Sequence, residues 1–133
     1  MTSPEIPYNS YSVLFKSSLF SCIPFITALY RKKYYYAIAP GMVMLTSLNY
    51  WYYPTNGWRK KLDMYTVRAL LIYQSYLSFY SKYKYIYLVS TTTGIMSYCI
   101  GIYYYTKGDL WKYTFCHACL HFLANVGNMA LCL

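Results

Sequence analysis

Charge is scarce in this chain and negative charge is nearly absent: of 133 residues, 12 are Lys or Arg, three are Asp or Glu, and charged side chains make up only 11%. A soluble domain carries about 25% charged residues. With so little polar surface available, an ordinary water-soluble core is excluded, and lipid must solvate much of the chain. The chain also lacks a Gly-rich phosphate loop, an internal repeat, and a basic segment ahead of the first apolar run, where the first Lys is Lys16. A cleaved secretory signal is therefore not expected, and the first run should be retained. Cysteine is present but in the wrong pattern for a disulfide framework. The five residues Cys22, Cys99, Cys116, Cys119 and Cys132 are odd in number and lie in apolar stretches.

What is abundant is apolar and aromatic. Hydrophobic residues account for 58% of the chain and 21 residues are Tyr. Near-continuous apolar runs occupy residues 11–30, 34–53, 63–81, 85–105 and 110–133. Since a crossing needs roughly 20 residues, the expected fold is all-α: a single domain, 1–133, forming a multi-pass transmembrane bundle of about five spans. A β-barrel would require strict alternation in segments of about ten residues, which these runs do not show. Pro54-Thr55-Asn56-Gly57 stops the second run with a strong turn signal. The third run is the most polar, holding Asp63, Arg68 and Gln74. Small residues in the fourth, Thr91 to Gly94 and Gly101, permit close helix approach. Tyr clusters at run ends, such as Tyr34 to Tyr36 and Tyr103 to Tyr105, suit an aromatic belt at the membrane interface.

The net charge of +9 would suggest nucleic acid in a soluble protein, but its distribution argues against that partner. The basic residues form short knots between apolar runs: Arg31-Lys32-Lys33, Arg59-Lys60-Lys61, and Lys82 with Lys84. Membrane lipids, with anionic head groups at these loops, are the expected counter-charge. Five alternating spans put equal numbers of basic loop residues on each side, so the positive-inside rule does not choose an orientation. Only Lys16 tips it toward a cytoplasmic N-terminal side.

Ionisable groups inside lipid are costly and mark candidate sites. His117 and His121 are the only histidines, spaced i, i+4 in the last run, so both imidazoles project from one helix face and can reach one metal ion. Thr114, His117, His121, Asn125 and Asn128 fall within about an 80° arc. Such a stripe must face protein or a water cavity, either as interhelical hydrogen-bonding glue or as a lining. Cys116 and Cys119 lie off the His face and read as small packing residues. Asp63, at the start of the third run, shares a face with Leu70, Gln74 and Ser78; its bland role is to favour a helix N-terminus. Ser47, near the end of the second run, would ordinarily bond back to its own helix. Alternating spans nonetheless bring Ser47, Asp63, His117 and His121 to similar depth near one membrane face.

This order resembles the CREST superfamily of alkaline ceramidases, progestin and adipoQ receptors and haemolysin III-like proteins. Their pattern is Ser-x-x-x-His late in one helix, Asp early in the next, and His-x-x-x-His in the last. Here it reads Ser47-Leu48-Asn49-Tyr50-Trp51, then Asp63, then His117-Ala118-Cys119-Leu120-His121. The resemblance implies a Zn²⁺ site with His117 and His121 as metal ligands, and Asp63 and Ser47 as catalytic residues assisting a bound water that attacks a lipid amide or ester. Two departures stand out: Trp51, which cannot ligate zinc, occupies the first His position, and the family has seven spans where this chain has room for about five. Lacking the third His, the site would recruit Cys or water, bind metal weakly, or be inactive. The expected function is thus a reduced zinc-dependent lipid hydrolase or an inactive relative. The alternatives are a non-enzymatic membrane scaffold, or a small transporter or channel subunit lined by the α-helical stripe, which would require a homo-oligomer or a water-filled path.

Overall fold

Helices take up the apolar runs; Pro or Gly marks the breaks before Pro24, at 54–57 and at Gly108, whereas 31–33 and 79–83 separate helices without either and Pro40 lies inside a helix. The computed structural model describes residues 2–133, and the regular structure among them is helical: α1 (Tyr8–Leu19), α2 (Cys22–Tyr30), α3 (Tyr34–Trp51), α4 (Trp58–Ser78), α5 (Lys84–Thr106) and α6 (Leu110–Cys132). The first run splits at Phe20 and Ser21. Pro24 lacks an N–H and its ring crowds the carbonyl four residues earlier, that of Phe20. Locally the chain tightens, with Ser21 N–H donating to the Ser18 carbonyl and Ile23 N–H to that of Phe20. α1 and α2 still act as one 23-residue rod, Tyr8–Tyr30, which is long and apolar enough to cross a membrane, as are α5 and α6.

α4 begins at Trp58, five residues before the run at 63, because the turn at 54–57 ends at Gly57 and the basic knot is itself helical. Hydropathy marks where a helix is apolar, not where its backbone starts. One consequence is a correction: Asp63 lies a turn and a half inside α4, too far in to serve as its N-terminal charge. Asp109 plays that role for α6. Its carboxylate accepts the Lys112 N–H at 3.1 Å and pairs with the Lys112 ammonium at 3.0 Å, which together hold the Asp109 carboxyl below the usual carboxylate range.

Contacts between helices give their directions. Ser17 meets His121 and Ser21 meets Asn125, so α1 and α6 run parallel. Trp51 meets His117 near one end of the bundle, and Ala37 packs with Cys132 near the other, so α3 is antiparallel to α6. Gly94 lies against Leu120 and Gly101 against Cys116, making α5 antiparallel as well. Asp63 sits beside Ser47 while Gln74 reaches Asn128, so α4 runs with α1 and α6.

α6 is the hub, packed by α1, α2, α3 and α5. Its contact with α5 is the most extensive, and there the small residues do what the sequence led one to expect. A Cβ at Gly94 would lie 3.3 Å from Leu120 Cδ1, at Gly101 3.1 Å from Cys116 Cβ, and at Gly127 3.3 Å from Tyr87 Cδ2. One apolar cluster, Ile6, Leu14, Tyr50, Trp51 and Tyr113, closes the bundle end that carries the α3–α4 turn. The segment before α1 straps across this end. Glu5 donates its N–H to the Pro54 carbonyl, and its carboxylate accepts from Tyr50 Oη at 2.9 Å and pairs with Lys60 Nζ at 2.9 Å.

Candidate functional site

Two polar clusters lie near the strapped end, about one helical turn apart along α3. In the first, the Ser47 hydroxyl donates to Asp63 Oδ1 at 2.7 Å and the Thr46 hydroxyl donates to the same oxygen at 2.9 Å. Ser47 therefore does not simply bond back to its own helix, and Asp63, buried at 9% exposure, is held by α3 rather than by a cation. Thr46 gave no separate signal in the sequence, since hydroxyls in apolar helices ordinarily turn inward to their own carbonyls. Asp63→Asn is expected to keep Oδ1 as acceptor for both hydroxyls while removing a buried charge, leaving thermal stability equal or higher. Asp63→Ala strips both donors of their acceptor and should cost about 1–3 kcal/mol. Thermal unfolding of both variants in detergent checks this.

The second cluster is built on α6. His117 and His121 lie with ring centroids 5.0 Å apart and nearly perpendicular. His117 is wrapped by aromatic edges: Trp51 at 5.1 Å, and Tyr98 and Tyr113 each at 5.6 Å between centroids. Its Nδ1 is buried and has no hydrogen-bond partner among the described residues. His121 Nδ1 and Ser17 Oγ are 2.6 Å apart, and the same hydroxyl lies 3.0 Å from the Leu14 carbonyl. A hydroxyl has a single proton. Both contacts are used when His121 Nδ1–H donates to Ser17 and Ser17 donates to Leu14, which leaves a lone pair on His121 Nε2.

The stripe continues down α6, and it faces protein. Ser21 donates to Asn125 Oδ1 at 3.1 Å and Gln74 Nε2 donates to Asn128 Oδ1 at 3.1 Å. Thr114, 1% exposed, donates to the Leu110 carbonyl at 2.7 Å. Ser17 and Ser21 share the i, i+4 spacing of His121 and Asn125, and because α1 and α6 run parallel the two rows zip together. That matching spacing was available in the sequence, but the parallel pairing that gives it meaning was not.

A zinc ion in the CREST arrangement needs more donors than these residues supply. Zinc sites are built from three or four N, S or O ligands. Here two imidazoles share a face, the third position is an indole pressed edge-on against His117, and Asp63 is bound to the α3 hydroxyls. Among the described residues no three His, Cys, Asp or Glu side chains converge on one point. The donor set does not fit a three-His centre, although the Ser17 hydroxyl behind His121 Nδ1 fixes the ring as hydrogen-bond partners fix metal-binding imidazoles. No family model, curated protein or solved structure matches this chain, so its function is read from these residues.

Proposed function

We propose that this is an integral membrane protein of five crossings on a CREST-like frame, whose polar core locks the helices together rather than hydrolysing lipid. The observation that carries this reading is the bonding of the α6 stripe: His121, Asn125 and Asn128 pair respectively with Ser17 of α1, Ser21 at the α1–α2 junction and Gln74 of α4. Hydrogen bonds of this kind substitute for the hydrophobic driving force that lipid removes.

The inside-out patterning of α3 and α4 supports counting them as crossings. The buried residues of α4 are all polar, Asp63, Gln74 and Ser78, while Met64, Tyr65, Val67, Ile72 and Tyr76 face outward. Along most of its length α3 buries small residues, Ala37, Ala39, Pro40, Gly41 and Ser47, with Tyr50 and Trp51 buried at its C-terminal end, and exposes Ile38, Met42 and Leu45. Water would reverse this pattern, and lipid accommodates it. At 18 and 21 residues both helices fall within the spanning range of about 17–25. Helix directions alternate in step with the chain, so that Arg31 to Lys33 with Lys82 and Lys84 lie at one end, and Arg59, Lys61 and Lys107 at the other, each available to anionic lipid head groups, while Lys60 is paired with Glu5.

The test is to purify the full chain in detergent and measure bound metal, turnover of lipid amides and esters, and thermal unfolding, for wild type, Ser17→Ala and His117→Ala/His121→Ala. The expected results are zinc well below one per chain, no turnover, and loss of stability in both variants, by about 1–3 kcal/mol for the hydroxyl deletion, which leaves His121 Nδ1 buried without a partner. Near-stoichiometric zinc that disappears in the double variant, together with lipid hydrolysis, would overturn the reading and restore the hydrolase.

A further inference from the structure

Beyond the basic knot at 59–61, α4 carries one more cation, Arg68, and it faces away from the bundle. Lys61, Tyr65, Arg68, Ile72, Tyr76 and Phe79 recur every three or four residues, so they fall within about an 80° arc of the helix. Each of them is exposed. The opposite face holds the buried residues Asp63, Gln74 and Ser78. Because α4 packs mainly on α3 and only lightly on α5, the outward stripe is left uncovered.

On the five-crossing reading Arg68 lies inside the hydrocarbon, seven residues or about 10 Å beyond Lys61 and farther still from Lys82. A guanidinium keeps its charge in proteins, and a charge at that depth is costly unless something pairs with it. The chain supplies no such group. The ion pairs among the described residues join Lys60 to Glu5 and Lys112 to Asp109, and neither involves Arg68. The side chain leans toward the N-terminus of α4, where Lys61 on the same stripe already meets the head groups, so drawing the guanidinium there sets cation beside cation. α4 is also not among the helices apolar enough to cross a membrane by composition. Of the five crossings it gains most from a helix that covers it.

We propose that the outward stripe of α4 docks a membrane-spanning helix of another protein, one that carries an Asp or Glu at the depth of Arg68. The proposal rests on the five-crossing reading and assigns that frame a partner. The guanidinium presents parallel N–H donors that a carboxylate accepts two at a time, and the low dielectric around the pair strengthens the attraction. Tyr65 and Ile72, one turn to either side, are 66% and 74% exposed and offer apolar surface to the rest of that helix. A second copy of this chain does not supply the carboxylate. Its acidic residues are Glu5, Asp63 and Asp109: Glu5 is held by Lys60 and Tyr50 outside the helices, Asp63 is buried against α3, and Asp109 is paired at the end of α6. The occupant is therefore a different protein, chosen by charge.

The experiment reconstitutes the full chain into phosphatidylcholine vesicles with a synthetic apolar spanning peptide of about 20 residues that carries one Asp at the depth of Arg68. Energy transfer between a dye on the peptide and one on the chain reads their association, and control peptides carry Asn or Leu at the same position. Wild type is expected to give several-fold more transfer with the Asp peptide than with either control. Arg68→Leu should lose that preference, and Lys16→Leu, at the other basic residue inside an apolar run, should keep it. Changing the peptide leaves the protein untouched, so the comparison does not depend on how a variant folds. Equal transfer with the Asp and Leu peptides overturns the docking site and leaves Arg68 to head-group phosphates. Equal transfer with Asp and Asn overturns the requirement for charge, and a preference that survives in Arg68→Leu overturns the assignment to this residue. Transfer between differently labelled copies of the chain that disappears in Arg68→Leu would make the occupant a second copy and overturn the proposal as well. Labelling of single cysteines placed at 54–57 and at 81–83 with a membrane-impermeant maleimide reads whether α4 crosses. Loops on opposite sides without an Asp preference would sink only the docking site, whereas loops on the same side would sink the reading beneath it.

Discussion

The Trp51→His variant is expected to bind zinc at about one ion per chain where wild type holds far less. Trp51 is the residue by which this chain departs from the Ser-x-x-x-His pattern, and its indole is in ring-to-ring contact with His117, 5.1 Å between centroids and at 82°. A histidine there would supply a third imidazole beside His117 and His121, the number that holds zinc in three-His centres with water in the fourth position. The substitution removes a large side chain that is only 2% exposed and packs against the Tyr50 ring at 4.5 Å between centroids, tilted by 52°. The unmetallated variant should accordingly lose roughly 2–4 kcal/mol. Zinc should restore that stability, since binding to the folded state alone adds to it. Metal analysis and thermal unfolding with and without zinc separate the two effects. Trp51→Ala serves as the control, destabilised at least as much but indifferent to zinc. If Trp51→His also ignores zinc, positions 51, 117 and 121 do not form a residual metal site, and the CREST resemblance is reduced to a coincidence of spacing.

Gly94→Leu/Gly127→Leu is expected to abolish the folded protein. The two glycines sit at different heights on the α5–α6 seam, where even a Cβ at either position would come within 3.3 Å of a side chain on the facing helix. Overpacking costs typically about 1–3 kcal/mol per site, and separated sites add. Forcing apart the backbones of the most closely packed helix pair puts each site at or above the upper end of that range. The sum approaches the whole stability of a small domain, about 5–15 kcal/mol. Loss of the monodisperse peak in size-exclusion chromatography is the readout. Val89→Leu on the outward face of the same helix, 67% exposed, should leave it unchanged. A double variant that stays folded would show that the α5–α6 approach does not require the absence of side chains.

The fold class was legible because long apolar runs with few charges leave backbone groups that helices satisfy within themselves, and the five runs map onto the helical rods, with one proline break and one early start. Part of the site was legible as well. The i, i+4 spacing of His117 and His121 and the arc through Asn128 follow from helix geometry alone. The sequence could not reveal what these groups meet. Ser47 bonds to Asp63 instead of to its own helix because α3 and α4 bring that carboxylate within 2.7 Å, a distance set by packing of segments far apart in the chain. Ser17 and Ser21 were silent for the same reason: serine in an apolar run carries no mark of its partner until a parallel α6 lies beside it. Composition and periodicity determined that this is a helical chain with helices long and apolar enough to cross a membrane and a polar stripe on its last helix. The tertiary structure alone decided that the stripe is bonded to other helices and that Trp51 occupies the place beside His117, since hydrogen-bond complementarity depends on distances that no local pattern encodes.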